Sequence, residues 1–459
     1  MKIIKRTLAV VLVLAMALTA VGCGKNGDNN GGNAGNGGSS GGKVETLPIE
    51  EYAIDSEALL ASMPAELKGT TMTFLSWYDP REREEKDVLA DFEKKSGIKV
   101  NCRVTSYVGY AAQVAALLAA GESPDVMRMK NPNIALLKVL QPLSVTGFDY
   151  SGKAWDKYTM GLYTVGQTQY AAALMYTPYF LPSIYFYNTS IMEDMGFEDP
   201  YELWKERKWT WSKMREMCTT WINENGADYR GAYTQNPSRN AGISLVKWNE
   251  DNIHLELDLT NQMALAAWKF SQEAKQTGMF AAVNDGFDQM NPTLLFASMD
   301  ASAVQQSSGY FNKTRMHGNL KGVPAPMWDL TDDAVDYHLY MTENIGFGVP
   351  KGAKNAKAVP YFLGYVGNFA NYNQGVGKGG FFFSEQIKEC YMNLMSIKNR
   401  GLDQFLLMQQ DATNLGTFSE DLNKTDPTQV EQWLQSREYI MQDAINEINR
   451  EREALAKQK

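Results

Sequence analysis

The sequence predicts an α/β fold that opens on a parallel, doubly wound sheet, in a chain long enough for two lobes, and three observations carry that prediction. Apolar, strand-like runs alternate with helix-patterned segments from residue 70 onward, the order expected of a parallel sheet with helices on its faces. The helix-patterned segments close on glycines, at Gly97, Gly121, Gly226 and Gly278. Lastly, 44% of the 459 residues are hydrophobic, enough for sizeable cores in a chain that at this length divides into lobes.

The first element is the buried strand "TTMTFLSWY". Asp79-Pro80-Arg81-Glu82 then supplies an N-cap, a proline at the first helical position and a glutamate at the third. The helix runs through "REREEKDVLADFEKKS" and stops at Gly97, after which Ile98, Val100, Cys102 and Val104 alternate as a second strand. "YAAQVAALLAAG" is the next helix and "PDVMRM" the third strand. Ligands in such sheets sit beyond the carboxyl ends of strands. The residues read as lying there are Trp77, Tyr78 and Asp79, then Tyr107, then Asp125 with Arg128 and Asn131. Farther on, "PSIYFYNTSIMEDMG" passes from strand to helix, "WTWSKMREMCTTWINENG" is a helix capped by Thr210, and another helix lies between Thr260 and Gly278. The tail "VEQWLQSREYIMQDAINEINREREALAKQK" reads as one long amphipathic helix lying on the body, its apolar positions failing to hold a coiled-coil heptad.

The chain begins with a cationic start, an apolar run from Thr7 to Thr19 and small residues before Cys23, the layout of a signal peptide over 1–22. "AVGC" resembles the bacterial lipobox, which implies that Cys23 is lipidated and becomes the mature N-terminus. The plainer alternative is cleavage nearby with Cys23 incidental. Residues 23–47 form the lipidated cysteine and a Gly/Asn/Ser tether with nothing to bury, its reach on the order of 25 Å. Two or more acyl chains would hold it stably to a membrane.

Formal charge is −9, and loss of Lys2, Lys5 and Arg6 with the leader makes the mature chain more acidic still, which argues against a nucleic-acid partner. Cys102, Cys218 and Cys390 are scattered and suggest neither a disulfide framework nor a metal site, and His254, His317 and His338 are equally dispersed. No metal or other cofactor is expected. "GVGKGG" at 375–380 matches a dinucleotide-loop pattern literally, but follows a helix end instead of a strand, and Lys378 lacks the neighbouring Ser or Thr of a phosphate loop. Neither a nucleophile elbow nor H-E-x-x-H occurs.

Several stretches resemble the extracellular solute-binding proteins of ABC importers, in the carbohydrate-binding group related to maltose-binding protein. These are "TFLSWYDPRE", "LLAAGESPDVMRM", "IYFYNTSIMEDMGFEDPYELWKERKWTWSKM", "LLFASMDASAVQQSSGY", "GVPAPMW" and "GFGVPKGAKNAKAVPYFLGYV", together covering most of 70–370. The resemblance implies a periplasmic-binding-protein-like fold of type II, in which the chain crosses a hinge more than once and a cleft closes on its ligand. It places 68–178 and about 340–405 in an N-terminal lobe, and 179–339 with about 406–459 in a C-terminal one. A monomer on the extracellular face of the cell membrane is implied, handing a sugar or short oligosaccharide to ABC permease subunits. A sugar has an apolar C–H face and a girdle of hydroxyls, so its site needs aromatic platforms with carboxylate, amide and guanidinium partners.

Each candidate has a structural alternative. Trp77 and Tyr78 either face a ligand or pack beneath the next helix; Asp125 either binds hydroxyls or caps a neighbouring helix. Tyr185 alternates with Tyr187 on one strand face, and either is read as core or cleft. Tyr310 follows Gly309 where the family places a sugar-stacking aromatic, and Trp328 either lines the cleft or closes a turn. Trp209 and Trp211 are read as structural. Two other classes remain: a secreted glycoside hydrolase, which needs only two carboxylates, and a surface glycan-holding module without a permease.

Overall fold

The computed structural model describes residues 49–457 apart from 83–85, 107, 176–183, 234–243, 282–292, 300–319, 329–339, 342–343, 371–376, 378, 380–381, 397–400, 403–420 and 423. The leader, Cys23 and the tether lie outside the described residues.

The first sheet begins as expected. Strands β1 (Thr71–Ser76), β2 (Lys99–Val104) and β3 (Val126–Lys130) are parallel, with β1 in the middle of the three. Helix α1 (Lys86–Ser96) and helix α2 (Tyr110–Ala119) connect them. Met72, Phe74 and Leu75 of β1 are at most 3% exposed, so the strand is buried on both faces, the usual state of a parallel strand under helices. Short helix α3 (Ile134–Leu137) follows, then the small hairpin β4 (Thr164–Val165) and β5 (Thr168–Gln169), and β6 (Ala171–Ala172). Asp79 accepts from the backbone N–H of Arg81 and starts a 3-10 turn over Pro80–Glu82, a shorter opening to the helical segment than the sequence pattern suggested.

A second sheet follows. It comprises β7 (Ile184–Asn188), β8 (Arg230–Tyr233), β11 (Phe280–Ala281), β12 (Leu294–Met299) and β13 (Leu320–Pro324) in the order β11-β8-β12-β7-β13, with β7 antiparallel to both neighbours. The hairpin of β9 (Val246–Trp248) and β10 (Leu255–Leu257) stands apart from it. Helix α4 (Trp211–Asn225) is capped by the Thr210 hydroxyl, and α5 (Gln262–Gln276) by Asn261 in place of Thr260, whose hydroxyl is turned to Asp258. Trp209 and Trp211, fully buried, anchor this lobe's core, the Trp209 indole donating to the carbonyl of Pro324 at 2.9 Å.

After a short parallel pair of β14 (Tyr340–Met341) with β16 (Gly401–Leu402), strand β15 (Ile345–Gly348) returns to the first sheet and lies antiparallel between β3 and β6. The two lobes are therefore threaded more than once. Gly346 is required there by close packing, since a Cβ would fall 2.6 Å from the Tyr163 ring.

Two packing relations depart from the sequence reading. Helix α6 (Glu385–Ser396), read with the N-terminal lobe, packs on β13, and its Ile387, Cys390, Tyr391 and Leu394 are wholly buried in the second core. The tail is two helices, Val430–Gln435 and α7 (Glu438–Ala456), because Ser436 turns its hydroxyl onto the Trp433 carbonyl and Arg437 leaves helical geometry to lie over the Trp433 ring. The break lets both pieces face one core: Val430 and Leu434 meet Met441, Ile445 and Ile448 around the β9–β10 hairpin. The far end of α7 reaches the first lobe, where Leu455 joins the cluster of Leu75 and Met127 and Glu451 pairs with Lys138 at 2.7 Å. Arg452, 2% exposed, donates to the carbonyls of Ile253, Asn252 and Thr164 and lies over Trp248. These acceptors offset the cost of taking its charge out of water.

Candidate ligand-binding site

The carboxyl end of β1 carries Trp77 and Tyr78, both half-buried, and β3 runs parallel beside it. That register sets Arg128 against the two rings. Its guanidinium carbon lies 4.9 Å from the Trp77 ring centre and 4.8 Å from that of Tyr78, and one Nη donates to the Tyr78 hydroxyl. Trp77 in turn meets Tyr110, the first residue of α2, edge-on at 5.6 Å. Burial pushes the Tyr110 phenol well above its usual range, which keeps it neutral. Trp77 also packs against Ile345 of β15, as does Phe347. The result is an aromatic wall with a guanidinium set in it, at the strand ends where a ligand can reach it.

Three of the residues proposed from sequence thus come together: Trp77, Tyr78 and Arg128. Others do not. Asp125 precedes β3, at the amino end of the sheet, because it enters the strand that Arg128 and Lys130 leave. Its carboxylate is occupied there, accepting the backbone N–H groups of Thr73, Lys354 and Asn355 at 2.8, 2.8 and 2.6 Å. Asp79 is held by Arg81 in an ion pair of 2.6 Å, and the Arg81 hydrogen bond holds its carboxyl below the usual range. Asn131 is wholly buried with φ of +62°, a left-handed conformation that asparagine tolerates, and its Oδ1 accepts from the Asn344 N–H. It pins β15 to β3. Tyr185 is core, 0% exposed and edge-on to Trp211. Trp328 packs at the margin of the second core against Phe270, with its indole N–H buried and without a partner. Tyr107 and Tyr310 lie outside the described residues.

Sequence reasoning missed Tyr110, Lys130 and Asn344. The Asn344 carbonyl accepts from the Tyr163 hydroxyl at 2.6 Å, while both polar atoms of its side chain are buried with no hydrogen-bond partner. Its only sequence signal was an asparagine just before the strand "IGFGVP". Among the described residues no group of His, Cys, Asp or Glu is arranged to hold a metal ion, and no helix is long and apolar enough to cross a membrane.

A family model for bacterial extracellular solute-binding proteins matches residues 79–370. No curated protein matches the chain. Among solved structures, the sugar-binding protein MalE from the phytopathogen Xanthomonas citri is similar over 85% of this chain and 100% of its own, at 15% identity and TM-score 0.56. UgpB from Mycobacterium tuberculosis, solved with glycerophosphocholine, is similar over 81% and 98%, at 16% identity and TM-score 0.57. The ABC transporter associated binding protein from B. animalis subsp. lactis Bl-04, solved with beta-1,6-galactobiose, covers 83% and 98%, at 16% identity and TM-score 0.53. At such identities the likeness is one of fold.

Proposed function

The chain belongs to the bacterial extracellular solute-binding proteins, and from that membership we propose that it captures a sugar or short oligosaccharide in a cleft between its lobes and delivers it to an ABC permease. The observation that carries the sugar reading is the wall of Trp77 and Tyr78 with Arg128 set against it at a strand end. Aromatic faces stack on the C–H face of a pyranose, and guanidinium N–H groups donate to its hydroxyls. MalE and the galactobiose-bound protein, which share the fold, favour the same class of ligand. The division 68–178 with about 340–370, against 179–339 with the C-terminal helices, is the proposed lobe assignment, with α6 moved to the second lobe on its packing. We further propose that the protein is a monomer, that Cys23 carries the lipid anchor on the outer face of the membrane, and that the bound sugar is returned unchanged.

A thermal-shift screen against mono- and oligosaccharides tests this reading. A ligand at a hundred times its dissociation constant adds about 2.7 kcal/mol of stability. Hours of incubation with the ligand so found should release no new reducing ends; their appearance would transfer the protein to the hydrolases. No shift with any saccharide would end the sugar assignment.

A further inference from the structure

Among the described residues Arg128 is a cation without a counter-ion. It is 6% exposed, yet no carboxylate among the described residues pairs with it. Asp79, just beyond β1, is taken by Arg81, and Asp125 is spent on three backbone N–H groups at the opposite end of β3. One Nη donates to the Tyr78 hydroxyl, while Nε is buried with no hydrogen-bond partner at all. Removing a guanidinium from water is costly unless its charge is compensated, and two aromatic faces near 4.8 Å compensate it only in part. The comparable buried guanidinium, Arg452, is by contrast held by the carbonyls of Ile253, Asn252 and Thr164, and the half-buried Lys321 is paired with Asp199.

Resting on the saccharide reading above, we propose that this strand-end site takes an anionic saccharide, with the ligand's carboxylate or phosphate oxygens supplying the charge that Arg128 lacks. The planar guanidinium matches either oxyanion by paired N–H donors, and the aromatic faces take the ring that bears it. Neutral sugars fill the hydrogen bonds but leave the charge uncompensated. The protein's overall negative charge makes such selectivity a property of the site, since the field of the whole chain repels anions.

The test is isothermal titration of the full chain with matched pairs: digalacturonate against its dimethyl ester, and glucose 6-phosphate against glucose. In at least one pair the anion should bind tenfold or more tightly, with the preference falling as salt is raised. The pair that shows it separates carboxylate from phosphate as the source. Arg128→Gln should bring the members of that pair to within about threefold, and Arg128→Lys should keep part of the difference; circular dichroism establishes that both variants are folded. Equal or tighter binding of the neutral member in both pairs overturns the anionic subsite and leaves sugar binding standing. Silence with all four, together with silence across the saccharide screen, removes the sugar reading and this inference with it. The wild-type comparison decides the matter even if the variants fail to fold.

Discussion

Trp77 and Asp125 were both candidates in the sequence, each beside a predicted strand, and their surroundings give them opposite work. Asp125 has both carboxylate oxygens engaged by backbone N–H groups, one from β1 and two from the 354–355 turn. Asp125→Ala leaves those partly buried donors without acceptors, so the protein should lose about 1–3 kcal/mol of stability in urea titration, while the folded fraction binds ligand as before. An affinity loss with unchanged stability would instead make Asp125 a ligand contact. Trp77 contributes an exposed part of its ring as well as a packed edge on Tyr110. Trp77→Ala should weaken saccharide binding by about 1–3 kcal/mol, the scale of an apolar side chain's burial, and calorimetry on the folded variant reads it directly. Wild-type affinity would remove Trp77 from the site.

Among the elements, the C-terminal helix α7 is the least expected in its placement. It carries a polar seam onto the β9–β10 hairpin, where His254 lies between Asp251 and Glu453, the latter contact at 3.0 Å. The two carboxylates raise the imidazole pKa above its ordinary 6.5, Glu453 most strongly. Asp251 is held down at about 2, chiefly by backbone N–H groups, and Glu453 is lowered by His254 and Lys457, so both remain ionised through mild acid. A folded-state pKa above the unfolded one adds stability that is fully present below 6.5 and fades as pH climbs through the raised value. The melting temperature of wild type should therefore exceed that of His254→Gln most at about pH 6, the gap narrowing toward alkaline pH. A constant gap across that range would show that the seam is held by geometry alone.

For the whole molecule, strands of the two sheets alternate along the chain, with β6 followed by β7, and β13 by β15. In the proposed function these two passages between the sheets serve as the hinge, and a ligand that touches both lobes shifts the population toward the closed form by its difference in affinity for the two. Small-angle scattering should record a fall in radius of gyration when the ligand found by screening is added. An unchanged radius under saturating ligand would rule out closure. At the cell surface, Cys23→Ala should release the protein from the membrane fraction or block its processing, as fractionation of the producing bacterium would show; normal retention would remove the lipid anchor.

What the sequence by itself determined was local. Alternation, caps and closing glycines fixed β1, α1, β2, α2 and β3 in order, because those signals act within a few residues. The same locality made Trp77, Tyr78 and Arg128 recognisable as strand-end residues. Only the tertiary structure decided that Arg128 lies over both rings with no counter-ion among the described residues, that Asp125 belongs to the sheet's other end, and that β15 enters beside β3 through Asn344. It also decided that α6 covers the second core and that the tail breaks at Ser436 so that both helices share one apolar cluster. Apart from the break itself, which rests on the local contacts of Ser436 and Arg437 with Trp433, each of those outcomes depends on partners more than forty positions away or on which faces remain uncovered after packing, and periodicity carries no record of either.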